Sequence, residues 1–133
     1  MNAIDTNVLL YACDSRDAMK QQRALTLIGS FRDTVLPWQA ACEFVAASRK
    51  LGPSGFTVAD AWARLGSLVK LFPLIVPTGA VLDRASVLHR DRGVAFWDAM
   101  LIAACLEGGV TRLYSEDVPG GRVPGIEIVN PFK

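Results

Sequence analysis

Short apolar stretches recur along this chain at a steady rhythm, each bounded by turn residues and each separated from the next by a segment of helical pitch. Met1–Ile4, Thr34–Leu36, Leu74–Val76, Thr111–Tyr114 and Ile126–Val129 are too short for helices and rich in aliphatic side chains. Between them the apolar residues return every three or four positions. This spacing predicts helices that begin after Asp5-Thr6-Asn7 with Val8 to Tyr11, and that cover 17–31, 39–51, 57–72, 79–92 and 97–107. Gly52-Pro53, Gly93 and Gly108-Gly109 stand where three of these should stop. Strands that alternate with helices in this way join through right-handed crossovers and lie parallel. The expected architecture is therefore α/β: a central parallel sheet of about five strands flanked by helices on both faces. No repeat, low-complexity tract or interior linker divides residues 1–133, which read as one domain.

Composition supports a packed core. Of 133 residues 51% are apolar and 20% charged, which excludes a disordered tail, a collagen-like repeat and a small disulfide-stapled scaffold. Fourteen Lys and Arg against 13 Asp and Glu leave a net charge of +1. Such a chain has no general attraction to nucleic acid or an anionic membrane, and any polyanion must be bound locally. Cys13, Cys42 and Cys105 are widely spaced, without metal-ligand or redox pairing, and are expected as small buried residues in a reducing compartment. No basic start with an apolar leader is present, and the longest apolar runs, such as Ala99 to Leu106, fall short of the roughly 20 residues of a membrane span. These features predict a cytoplasmic protein with no membrane segment.

In open parallel sheets, ligands bind beyond the carboxyl ends of the strands, where the strand order reverses. Asp5 follows the first predicted strand and Ser115-Glu116-Asp117 the fourth. Glu43 and Asp98 lie in otherwise apolar helices, between Cys42 and Phe44 and between Trp97 and Ala99. Each has an ordinary explanation: Asp5 or Asp98 as a helix cap or first-turn acid, Glu43 as a solvated helix residue, Ser115 to Asp117 as a turn. Together, four carboxylates at one edge of a sheet repel one another unless a cation joins them. Mg²⁺ and Mn²⁺ favour carboxylate and water oxygens, and such a cluster suits metal-assisted hydrolysis of a phosphodiester.

These residues resemble those of PIN-domain ribonucleases, most closely the VapC-like toxins of bacterial toxin–antitoxin pairs. The resemblance spans nearly the whole chain and rests on Asp5-Thr6-Asn7-Val8-Leu9-Leu10-Tyr11-Ala12, Glu43, Phe96-Trp97-Asp98-Ala99 and Leu113-Tyr114-Ser115-Glu116-Asp117 in that order. It implies a single PIN-like nuclease domain over 1–133. It also implies a Mg²⁺- or Mn²⁺-dependent endoribonuclease in which Asp5, Glu43, Asp98 and Asp117 form the acidic metal site. By the same resemblance Ser115 orders the site, Thr6 and Asn7 make hydrogen bonds without ligating, and Asn130-Pro131-Phe132 packs. Asp117, two positions after Ser115, matches the ligand position; the adjacent Glu116 does not. The implied partners are an RNA substrate, a cognate antitoxin that wraps the toxin, and a second copy in a homodimer. Where many relatives carry polar residues after the last acid, this chain has Val118-Pro119-Gly120-Gly121, which predicts a flexible support for Asp117.

Other functions fit less well. A flap-type DNA nuclease needs helical insertions that this length does not hold, and a dinucleotide-binding enzyme needs glycines where Asp5-Thr6-Asn7 stands. An aspartyl phosphatase needs a second Asp where Asn7 lies. A non-catalytic RNA- or partner-binding PIN fold is the remaining alternative. His89 is expected at the surface, Arg84, Arg90 and Arg92 on a solvated helix face, and Trp62 and Trp97 in the core. Val8, Leu9, Tyr11 and Phe44 are expected to offer apolar surface to a second copy and to an antitoxin helix.

Overall fold

The computed structural model describes residues 1–121 and 123–133. Residue 122, inside the predicted Glu116–Gly125 loop, lies outside the described residues. Strands β1 (Asn2–Ile4), β2 (Thr34–Pro37), β3 (Leu74–Ile75), β4 (Arg112–Tyr114) and β5 (Glu127–Val129) are all parallel and stand in the order β3-β2-β1-β4-β5. From β1 the chain builds outward on one side to β2 and β3. It then returns to the other side of β1 for β4 and β5. The order reverses between β1 and β4, whose carboxyl ends are in register at Ile4 and Tyr114.

The helices are α1 (Thr6–Ala12), α2 (Ala18–Ser30), α3 (Trp38–Ala47), α4 (Val58–Leu71), α5 (Gly79–Arg92) and α6 (Phe96–Glu107). Strand alternation sends successive side chains to opposite faces. Ala3 and Val35 accordingly join Val81, Ala85, Leu88, Ile102 and Ala103 under α5 and α6. Ile4 and Leu36 join Val8, Leu9, Phe44, Ala61 and Leu68 on the face covered by α1 to α4. Both faces are sealed, the arrangement the alternating pattern predicts. Phe44 is fully buried, and its truncation to Ala should cost about 3–5 kcal/mol.

Local chemistry sets the boundaries. Thr57 and Asp60 form a reciprocal capping box at the start of α4. The helix predicted to run through Leu51 ends at Ala47 and tightens into a 3₁₀ turn over Ser48–Ser54. The Ser48 hydroxyl donates back to the Val45 carbonyl at 2.7 Å, and Pro53 brings no amide hydrogen to continue an α-helix.

Several burial expectations are corrected. Trp62 and Trp97 are exposed, at 60% and 64%, as is Trp38 at 47%. Trp97 sits in the first turn of α6, beyond the elements that cover the rest of it; Trp62 lies one position off the Ala61, Leu65, Leu68 stripe that α4 turns inward. Cys42 is exposed and Cys13 half-buried; only Cys105 fits the expectation, and burial pushes its thiol up to about 12. Val8, Leu9 and Phe44 are core residues rather than docking surface, and Tyr11 is half-buried with its ring 4.8 Å from that of Phe132. His89 is exposed as expected, with Nδ1 2.9 Å from the Val94 carbonyl oxygen. No helix among the described residues is long and apolar enough to cross a membrane.

Candidate active site

The end of β1 delivers Asp5 to the point where strand order reverses. Its amide donates to the Tyr114 carbonyl at 2.9 Å, extending the β1–β4 ladder by one step before the chain turns into α1. As N-cap of that helix the Asp5 carboxylate accepts the Thr6 amide at 2.7 Å. Its other oxygen accepts the hydroxyl of Ser115, also at 2.7 Å, which β4 brings to the same level from 110 residues away. The cap role weighed for Asp5 is therefore real, and it uses only part of the carboxylate.

Behind Ser115 the chain is tied down, contrary to the flexible support expected for Asp117. The Ser115 oxygen accepts the amides of Asp117 and Val118 at 3.2 and 3.1 Å. From α1, the Asn7 side chain takes the Glu116 amide at 3.2 Å and donates to the Asp117 carboxylate at 3.2 Å. Glu116 turns the other way, into an ion pair with Lys20, and its carboxyl is held below its ordinary value: burial raises it, but the Lys20 and Tyr11 hydrogen bonds outweigh that. Polar anchors on α1 and α2 thus replace what the apolar 118–121 stretch lacks.

Glu43 arrives from α3, on the far side of β1. Its carboxylate accepts the Thr6 hydroxyl at 3.3 Å and the Gln39 amide at 3.1 Å. Gln39 also donates to the Trp97 carbonyl at 3.0 Å, fastening α3 to the first turn of α6, where Asp98 projects. Asp98 makes no cap bond, since Ala95 is the N-cap of α6, and among the described residues it has no hydrogen-bond partner. It does not cap the helix, but it is the first-turn acid of α6, where it complements the helix dipole as the ordinary reading expected.

Asp5, Glu43, Asp98 and Asp117 all line one cleft of about 600 Å³, together with Thr6 and Asn7. Burial raises the Asp5 carboxyl above its ordinary value, the Ser115 and Thr6 hydrogen bonds pull it back, and the charges of Glu43 and Asp117 add to the rise. Asp98 is raised by burial first, then by Asp117 and Glu43. The acids feel one another, and no Lys or Arg among the described residues pairs with any of them. Such an oxygen-only set fits a hard divalent cation. No three of the side chains are gathered closely enough to enclose an ion directly. A cation here would need water or substrate oxygens for its remaining positions.

The sequence profile of the PIN domain matches residues 3–118. The chain belongs to the PIN-domain family. No curated protein sequence is significantly similar to it. The fold of this PIN domain is shared with FitAcB from Neisseria gonorrhoeae, at a TM-score of 0.73 and 18% identity over 99% of each chain. It is also shared with a toxin–antitoxin complex from Klebsiella pneumoniae, at a TM-score of 0.71 and 17% identity over 98% of each chain. VapC20 from Mycobacterium tuberculosis, described as a sarcin–ricin loop cleaving toxin, aligns at 0.68 and 18% identity over 88% of this chain and 90% of its own.

Two features of the PIN-domain cleft escaped the sequence. Gln39 bridges Glu43 to α6, and Arg49 and Lys50 line the cleft beside the acids. Lys50 lies seven positions after Glu43, two helical turns on, and that spacing was the available signal. The cations that drew attention instead, Arg84, Arg90 and Arg92, belong to α5, away from this cleft.

Proposed function

We propose that this PIN domain is a Mg²⁺- or Mn²⁺-dependent endoribonuclease and the toxin of a toxin–antitoxin pair. The meeting of Asp5, Glu43, Asp98 and Asp117, from four separate elements, on one cleft at the β1–β4 switch carries the reading. These carboxylates would hold the cation, which when bound supplies neutralising charge and lowers the pKa of a water for attack on phosphorus. The protein's own contribution is orientation. Ser115 and the Thr6 amide fix the Asp5 carboxylate, Asn7 fixes Asp117, and Thr6 with Gln39 fixes Glu43. Asp98, free of such bonds, keeps both oxygens for the cation or its water shell. RNA as substrate is supported by the likeness to the sarcin–ricin loop cleaving toxin.

An antitoxin partner is supported by the likeness to a toxin–antitoxin complex and by an apolar hollow of about 410 Å³ lined by Trp38, Val81, Trp97 and Met100. Glu43 lines both this hollow and the acid cleft, so a helix seated there reaches the edge of the site and obstructs it. A second hollow, of about 610 Å³ around Trp38, Trp62 and Leu74, offers surface to a second copy of the chain. The cytoplasm, where RNA and free thiols coexist, is the proposed location.

The test is incubation with total RNA, with and without Mg²⁺ or Mn²⁺, followed by mapping of new ends. Cleavage should require the ion, vanish in Asp5→Asn and Asp98→Asn, and leave 5′-phosphate and 3′-hydroxyl ends. Cyclic phosphate ends or activity in EDTA overturn the reading. RNA binding without cleavage under either ion leaves the non-catalytic alternative.

A further inference from the structure

Arg49 and Lys50 share the acid cleft with four carboxylates, yet neither pairs with one. Some cations elsewhere on this surface reach a neighbouring acid, as Lys20 does with Glu116 and Arg84 with Glu107, and others such as Arg23 and Arg64 reach none among the described residues; what sets Arg49 and Lys50 apart is their place on the acid cleft. Among the described residues no carboxylate lies within 4.0 Å of Arg49 or Lys50. A cation placed to quiet the acid cluster would sit on it. Both side chains are exposed on the 3₁₀ turn after α3, so their charge faces the open cleft.

Lys50 also lines a second, smaller cleft of about 230 Å³ between α1 and the 3₁₀ turn. The two clefts share Asn7, Leu10, Ala47, Lys50 and Asp117, so they adjoin with Lys50 on the wall of both. A linear polyanion whose reacting bond lies over the acids must leave along some path. The adjoining clefts offer one past Lys50 and the uncharged Leu10 and Ala47, where Asp14 and Glu116 of the second cleft are each paired with a cation, Arg16 and Lys20.

We infer that Arg49 and Lys50 form a phosphate-binding site for single-stranded RNA, holding backbone phosphates beside the reacting bond and leading the strand out along α1. The inference rests on the nuclease reading above. Arg49 offers a two-pronged donor and Lys50 a compact point charge, both suited to phosphate oxygens. Contacts of this kind fix where a strand lies and do not read its bases.

The experiment uses the full chain carrying Asp98→Asn to silence cleavage, a fluorescein-labelled single-stranded RNA, and anisotropy across a NaCl series. Arg49→Ala and Lys50→Ala should each weaken binding by about three- to tenfold on any sequence. Each should also flatten the slope of log affinity against log salt by about 0.7. Arg92→Ala, removing an exposed cation outside the cleft, should change neither quantity, and Lys50→Arg should keep the slope. In the cleaving protein KM should rise while kcat stays within about twofold. If Lys50→Ala fails to fold, Lys50→Gln, which keeps the apolar stem, gives the same readout. Unchanged affinity and slope in the Arg49 and Lys50 variants, or an equal flattening by Arg92→Ala, overturns the inference. Cleavage by the unmodified protein with unaffected binding in those variants sinks this inference alone. Absence of cleavage with either ion sinks the nuclease reading, whatever the variants bind.

Discussion

In the groove beside α5, Arg84 and Arg92 stand with Asp83 and Glu107, and Arg84 pairs with Glu107 at 2.7 Å. In the cleft at the end of β1, Asp5, Glu43, Asp98 and Asp117 stand together, and among the described residues no cation pairs with any of them, although Arg49 and Lys50 line the same cleft. Both places are rich in charge. In the first, opposite charges meet at the surface, where such pairs contribute little and ask for no ligand. In the second, like charges are held together by hydrogen bonds from neutral groups, at an electrostatic cost that a bound cation or protonation relieves. Unbalanced charge distinguishes the candidate site from ordinary surface better than any count of charges does.

The widest separation between the two places should appear in turnover. Asp5→Asn should lower RNA cleavage on the order of 10³-fold or more, while Arg84→Ala leaves it unchanged. Equal losses in both would erase the contrast. Next in size is Ser115→Ala, which removes the hydroxyl that orients Asp5; metal affinity or activity should fall about 10- to 100-fold, read by Mn²⁺ titration of the rate. An unaltered titration would mean that Asp5 needs no orientation from β4.

Stability sharpens the comparison further. Asp5 and Asp98 hold protons more tightly in the folded chain than in the unfolded one, because burial and fellow acids penalise their charge. As pH climbs above the ordinary Asp value of about 4, the folded state retains the extra protons and these two groups take stability away. In EDTA near neutral pH, Asp98→Asn should therefore melt at or above the wild-type temperature, and the gap should close as pH falls below about 4. With Mn²⁺ at a hundred times its Kd, wild type should gain about 2.7 kcal/mol and the variant far less. Destabilisation in EDTA with an unaltered Mn²⁺ response would make Asp98 a structural residue. Smallest of all, a double-mutant cycle on Arg84 and Glu107 should give a coupling below about 1 kcal/mol.

The parallel sheet was legible because a strand covered on both faces has to be apolar throughout, and such runs bounded by turn residues stand out between helical periods. The four acids were legible for the opposite reason, as carboxylates at strand ends or among apolar neighbours. What escaped depended on direction. Trp97 and Trp62 have apolar neighbours in sequence, yet a first turn and a one-position offset send their rings outward. Arg49 and Lys50 read as an unremarkable basic pair, because the seven-residue step from Glu43 to Lys50 was the one sign that they face the acids. The firmness of the 115–118 loop was hidden as well, since Asn7, which ties it from α1, lies more than a hundred residues away.

The bond from Ser115 to Asp5 closes a span of 110 residues between the two central strands. During synthesis Asp5 is made 110 residues before the serine that orients it. At ordinary ribosomal speeds of roughly 5–20 residues per second, on the order of ten seconds separates the two events. Throughout that interval the growing chain lacks Asp117 and the hydroxyl that aligns Asp5, and it gains Asp98 only near the end. The acid cleft therefore assembles only once β4 has paired with β1.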